Sequence, residues 1–337
     1  MTDVEFKGWP HVIRCQQFSR EWLEEVLFPE ARKMKEVFIK GGDKTLDGKS
    51  MMTFFFQPST RTHCSFVTAM RALGGDVRFT SDNAAEFSSI SKGESLAHTI
   101  RVLNRYRPDV MVMRFKNDGD AAIAAANSPH AVIINGGDGP GQHPTQGFLD
   151  WFTIRERFGR VDGLTIGLVG DLLKGRAVRS LAYILSWYKV RLVLISSAAS
   201  RMKDDVKQHF REHNIWFVES NDITRVAPML DALYVTRNQK EQKKPESCAN
   251  NLPGVEAPIL SWEDRQAVDS EVVGLMKKEA VILHPLPIDS AVQEINTEVE
   301  NDPRVICFDE EVDAGIYTRM ALLKIILLGK ARQATVS

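Results

Sequence analysis

The segment Gln57-Pro58-Ser59-Thr60-Arg61-Thr62 concentrates three hydroxyls and one guanidinium in six residues. It follows the apolar run Phe54-Phe55-Phe56 and opens a helical pattern. A helix N-terminus adds unpaired backbone N–H groups and the positive end of a dipole, so the constellation suits a phosphate dianion. Ser and Thr also serve as ordinary N-caps, and the segment alone does not choose between cap and anion site. It is no Walker A loop. The nearby Gly48-Lys49-Ser50 precedes a strand, and Asp43 stands where that motif needs its first glycine. A dinucleotide fold is disfavoured too, because Ile166-Gly167-Leu168-Val169-Gly170 lacks the GxGxxG spacing.

These residues need elements to hold them. Apolar residues at helical spacing over 17–40 predict helix, with Pro29 dividing it in two. Short apolar runs predict strands at 51–56, 109–115 and 131–135, then at 164–169, 190–196, 216–219, 232–236 and 281–284. A helix is predicted over 62–73, after the first of them. Runs this apolar and unalternating belong to parallel sheets buried on both faces by helices. The expected fold is therefore α/β, with two domains, each a mostly parallel sheet flanked by helices. Ligands of such sheets sit at the carboxyl ends of the strands. Gly136-Gly137-Asp138-Gly139-Pro140-Gly141 lies near the midpoint and reads as a hinge, and 238–251 reads as a surface loop.

Length and composition agree with two domains, since 337 residues exceed what one core usually organises. Hydrophobic and charged fractions of 43% and 26% are those of a globular protein. A net charge of -1 without a basic run argues against nucleic acid as a partner. Four cysteines, Cys15, Cys64, Cys248 and Cys307, form no CxxC pair, so no disulfide framework or structural zinc site is expected. The polar start Met1-Thr2-Asp3-Val4-Glu5 is unlike a signal peptide, and no apolar stretch approaches the roughly eighteen residues of a membrane span. A cytoplasmic location without membrane association is expected.

Six ordered blocks then carry a family resemblance over about 50–330. Pro58 to Thr62, with Cys64-Ser65-Phe66 and Leu73-Gly74-Gly75, resembles the carbamoyl-phosphate motif of the aspartate and ornithine carbamoyltransferases. Ser88 to Leu96 is similar to that family's lysine loop, and Met113-Arg114 closes a strand as in the family. His143-Pro144-Thr145-Gln146 with Leu149-Asp150 is a further block. Gly170-Asp171-Leu172 with Gly175-Arg176, Thr236-Arg237-Asn238-Gln239-Lys240-Glu241 and His284-Pro285-Leu286-Pro287 complete the set. The last matches the aspartate branch and lacks the cysteine of the ornithine branch.

The resemblance implies a role for each residue. Ser59, Thr60, Arg61, Thr62 and Arg114 would hold the phosphate of carbamoyl phosphate by charge-assisted bonds. Thr62, Arg114, His143 and Gln146 would contact the carbamoyl group, as donors for the charge that develops on its oxygen. Arg176, with Arg114, would take the α-carboxylate of aspartate, and Arg237 with Gln239 and Lys92 the other carboxylate. Leu286 and Pro287 would offer backbone carbonyls to the amine, with a cis bond before Pro287 fitting a tight loop. Ser88 and Lys92 would reach a neighbouring subunit of a homotrimer or a multiple of it. No metal or organic cofactor is implied. The implied domains are 1–143 for carbamoyl phosphate, completed by a C-terminal helix at 316–337, and 144–315 for aspartate, closing across the glycine hinge.

Around these residues the chain departs from the family pattern. His63 replaces an arginine, and Phe115-Lys116 a histidine-proline pair. Ala177 and Arg179 replace threonine and histidine, while Gln242 and Ile288 each replace an arginine. Residues behind a binding site orient it without choosing its ligand, so weaker use of aspartate is expected rather than a new acceptor. The alternatives are a carbamoyltransferase for another amino acid or amine, and a non-catalytic homologue that binds carbamoyl phosphate.

Overall fold

The structure, a computed structural model, describes residues 11–237 and 266–329. They form two compact units, the first made of 11–156 and 310–329 and the second of 157–309.

In the first unit the chain makes α1 (Phe28–Ile39), β1 (Ser50–Phe55), α2 (Thr60–Ala72), β2 (Asp76–Ser81), α3 (Ala84–Phe87), α4 (Leu96–Arg105), β3 (Val110–Phe115), α5 (Asp120–Ala126), β4 (Val132–Asp138) and α6 (Pro144–Phe158). The sheet is all parallel, in the order β2-β1-β3-β4. Every residue of β1 is buried, which explains why only Ser50 and Thr53 interrupt its apolar sequence. β2 is an edge strand with mostly exposed residues. Its polar sequence Asp-Val-Arg-Phe-Thr-Ser hid it from a search for apolar runs.

Pro29 does not divide the first helix. The chain runs from a π-helical segment, Trp22–Leu27, directly into α1, with Pro29 in its first turn. Phe28 N–H bonds to Leu23 C=O, and Pro29 lacks an N–H at a helical position where none is needed.

In the second unit the elements are β5 (Thr165–Val169), α7 (Arg176–Leu185), β6 (Arg191–Ile195), α8 (Asp204–Glu212), β7 (Trp216–Ser220), β8 (Ala232–Val235), α9 (Ser270–Leu275) and β9 (Val281–Leu283). This sheet is parallel as well, in the order β7-β6-β5-β8-β9. β5 is wholly buried, whereas β7 is an exposed edge. The expectation of two α/β domains with mostly parallel sheets holds.

The last helix, α10 (Glu310–Leu328), returns to the first unit and packs on α1 and α2. Glu310, Glu311 and Asp313 in its first turn complement the positive end of its dipole.

The unit boundaries fall at 156/157 and 309/310, where the sequence suggested 143/144 and 315/316. α6 belongs with the first unit because Trp151 and Phe152 pack against Phe28. The glycine stretch also lies inside that unit. Gly136, Gly137 and Asp138 are the end of β4. Asp138 Oδ1 then accepts from Gln142 N at 2.7 Å, and Gly139 N bonds to Phe115 O at 3.1 Å. A bonded strand end is no hinge.

Candidate carbamoyl-phosphate and acceptor sites

Both sheets reverse their winding direction once. In the first, the chain leaves β1 for β2 on one side and later places β3 on the other. The β1/β3 crevice is therefore a switch point, where open α/β sheets bind ligands at the carboxyl ends. Ser59 to Thr62 follow β1, and Arg114 sits near the end of β3. The two strand ends are tied by Phe56 N bonding to Arg114 O at 2.7 Å.

Ser59 occupies the N-cap of α2, yet its side chain makes no capping hydrogen bond. Its backbone N–H instead donates to Asp82 Oδ1 at 2.8 Å, which anchors the loop. No acidic residue in the first turn neutralises the helix dipole. The hydroxyl is thus not spent on a cap, and the positive helix end stays uncompensated from within. Thr60 and Arg61 are exposed beside it. Desolvation lowers the Arg61 pKa from its ordinary value, but a guanidinium so exposed stays charged.

Thr62 is buried and lies 3.3 Å from His143 Nε2 through its Oγ1. Thr145 Oγ1 sits 3.4 Å from the other ring nitrogen. His143 C=O accepts from Gln146 N and Gly147 N, so the histidine caps α6 while Pro144 starts it. Arg114 is half-buried, and its Nη1 donates to Gly136 O at 3.1 Å. A Cβ at Gly136 would stand 3.2 Å from Met113 O and 3.6 Å from a Thr62 methyl. The absent side chain lets β4 approach both partners. Thr62 and His143 are thereby brought together, and Arg114 is linked to them through Gly136.

Gln146 Nε2 donates to Asp150 Oδ1 at 2.8 Å, one helical turn on. Asp150 is fully buried and offsets part of the desolvation of Arg319, whose pKa burial lowers to about 10. Arg319 lies 5.2 Å from the Phe66 ring on α2 and donates to Gly315 O at 3.1 Å. α10 therefore braces both the loop-bearing helix and the carboxylate that orients Gln146. The sequence placed Asp150 in a motif block without a role and did not single out Arg319. An i, i+4 pairing was available for the aspartate, and nothing local marked the arginine.

The second sheet switches at β5/β8. Arg176 is the first residue of α7 after β5, and Arg237 follows β8. A Cβ at Gly170, whose φ is +116°, would run into the Thr236 carbonyl, so glycine lets these two strand ends meet. Asp171 Oδ1 accepts from Leu173 N and Lys174 N, shaping the turn that delivers Arg176. Arg237 Nη2 donates to Asp289 Oδ2 at 3.1 Å. At the end of β9, buried His284 accepts the Leu286 N–H on Nδ1 at 2.8 Å, which puts its proton on Nε2. The Leu286–Pro287 peptide is cis. Gln239, and with it Gln242, lies outside the described residues.

Ser88 caps, and Lys92 ends, a short 3-10 turn in the first unit, Ser89–Lys92. Lys92 is exposed. Of the altered neighbours, His63 bonds to Thr53 Oγ1 at 3.0 Å and meets the Phe55 ring edge-on. Phe115 enters the core and Lys116 is exposed. Ala177 is half-buried beside Arg176. Arg179 is buried and donates to Leu173 O at 3.2 Å, and Ile288 packs on the second core. His63, Phe115, Arg179 and Ile288 thus have structural partners of their own.

Comparison with known proteins matches two family descriptions. "Aspartate/ornithine carbamoyltransferase, carbamoyl-P binding domain" covers residues 10–156, and "Aspartate/ornithine carbamoyltransferase, Asp/Orn binding domain" covers 162–326. Aspartate carbamoyltransferase 1, chloroplastic, of Pisum sativum is 44% identical over 94% of this chain and 78% of its own length. The aspartate carbamoyltransferase catalytic subunit of Methanopyrus kandleri is 41% identical over 94% and 97%. Among solved structures, aspartate transcarbamoylase from Trypanosoma cruzi in complex with N-(phosphonacetyl)-L-aspartic acid is 32% identical, with a TM-score of 0.81 over 95% of this chain and 96% of that one. With both halves matched in order, the chain belongs to the aspartate/ornithine carbamoyltransferase family.

Proposed function

We propose that this chain transfers the carbamoyl group of carbamoyl phosphate to the amine of L-aspartate, giving N-carbamoyl-L-aspartate and phosphate, a step of pyrimidine biosynthesis. The observation that carries it is the uncapped Ser59 hydroxyl beside the Thr62–His143 pair and Arg114, in the part of the chain that matches a carbamoyl-phosphate-binding domain. Relatives named for aspartate over nearly the whole chain support the acceptor.

In this reading Ser59, Thr60, Arg61 and Arg114 bind the phosphate. Thr62, His143 and Gln146 donate to the carbamoyl oxygen as negative charge develops there. The amine lone pair attacks the carbamoyl carbon, the bond from that carbon to the bridging oxygen breaks, and the phosphate leaves carrying the electron pair. The amine proton passes to the departing phosphate. Arg176 and Arg237 take the two carboxylates, with Gln239 and Lys92 assisting, and the Leu286 and Pro287 carbonyls receive the amine. Rate enhancement comes from positioning and preorganised charge.

The division of labour is tested with Arg237→Ala. The KM for aspartate should rise at least about tenfold, the loss of a charge-assisted contact, while carbamoyl phosphate affinity holds. Equal loss of both substrates would contradict separate sites.

The proposal includes a homotrimer, or a multiple of one, in which Ser88 and Lys92 serve the adjacent subunit. Light scattering at micromolar concentration should give a trimer or its multiple, and a monomer would refute shared sites. Among the described residues no helix is long and apolar enough to cross a membrane. Cys15, Cys64 and Cys307 are free thiols, which fits a reducing compartment, and a cytoplasmic location is proposed on that ground.

A further inference from the structure

We infer that Asp289 is a specificity-determining residue that competes with the acceptor's distal carboxylate for Arg237. The inference rests on the reading of Arg237 as an acceptor-binding residue. Arg237 follows β8, Asp289 follows β9, and those two strands are neighbours in parallel register. Strand pairing therefore brings the two side chains together across 52 residues of sequence, with Nη2 and Oδ2 3.1 Å apart.

The two partners are unequal. The Asp289 side chain is only 17% exposed, whereas that of Arg237 is 54% exposed. Asp289 is also held from three sides. Its Oδ1 accepts from Ala291 N at 2.9 Å, its N–H donates to Glu294 Oε2 at 2.9 Å, and its C=O accepts from Val292 and Gln293. The carboxylate is held by the turn, and the guanidinium is the exposed partner. Asp289 Oδ2 thus stands in for a substrate carboxylate. A dicarboxylate must draw Arg237 from this internal anion and tolerate a fixed negative charge beside its own, so specificity by repulsion acts against the acceptor. Ile288, in place of the family's arginine, adds no cation to offset it.

The test uses Asp289→Asn, which removes the charge and keeps an oxygen for the Ala291 N–H. The probe is succinate, a dicarboxylate without the reacting amine, titrated calorimetrically into the full chain with carbamoyl phosphate present. Succinate should bind about two- to fivefold tighter to the variant, the scale of releasing an exposed ion pair. The KM for aspartate should fall by the same factor, with kcat and carbamoyl phosphate affinity unchanged. Asp289→Ser, which also offers an oxygen to that N–H, repeats the measurement if the first variant fails to fold. Unchanged or weaker succinate binding would overturn the inference, the weaker result making Asp289 a positioning residue for Arg237. If the wild type binds no dicarboxylate at all, the acceptor reading falls with it. Binding by the wild type without gain in the variants sinks this inference alone.

Discussion

At the scale of single residues, what separates an anion site from a helix cap is where the Ser59 hydroxyl goes. It makes no capping bond, and Asp82 takes the backbone N–H of the same residue. Arg61→Ala should therefore cost a charge-assisted contact, about 1.5–3 kcal/mol of ligand binding. Calorimetry should show carbamoyl phosphate affinity down by about tenfold or more, with the thermal transition unmoved. Unchanged affinity would return the segment to the role of a cap. Ser59 to Thr62 were legible as a candidate anion site because they are contiguous, whereas His143 and Gln146 were named through the family resemblance. The Arg237–Asp289 contact was not legible, since only the pairing of β8 with β9 joins residues 52 apart.

At the scale of elements, the buried strands were readable as apolar runs, and exposed β7 was readable too because it opens on Trp216-Phe217-Val218. β1 and β5 are apolar because helices cover both faces. β2 escaped because an edge strand keeps one side in water and carries Asp76 and Arg78. Pro29 misled for a related reason. A proline inside a regular helix breaks it, but Pro29 falls in the first turn of α1, directly after the π-helical segment. The bracing of Gln146 through Asp150 and Arg319 likewise depends on how α10 returns, which no local pattern carries. Arg319→Met should remove a buried cation that Asp150 helps to offset and destabilise the chain by about 1–3 kcal/mol, the scale of losing a buried charged hydrogen-bonding group, with Asp150→Asn costly as well. In chemical denaturation the double variant should be less destabilised than the sum of the two, by about 0.5–3 kcal/mol, because the groups interact. Strict additivity would show that the two do not act as a pair.

At the scale of the whole molecule, each unit carries one switch point of a parallel sheet, with Ser59–Thr62 and Arg114 near the first and Arg176 and Arg237 near the second, the two anion sites of the proposed function. The two-unit plan was readable from two series of apolar runs, while the boundaries shifted because α6 is held by its aromatic side chains and the glycine stretch is a strand end. That plan fits two anionic substrates, one for each unit. The most direct test is a colorimetric ureido-product assay with carbamoyl phosphate and a panel of acceptors: aspartate, ornithine and monocarboxylate amines. Aspartate should be carbamoylated best. Ornithine should be poor, since its distal ammonium would face Arg237. Product formed faster from a monocarboxylate amine or from ornithine, or no ureido product from any acceptor, would contradict the account.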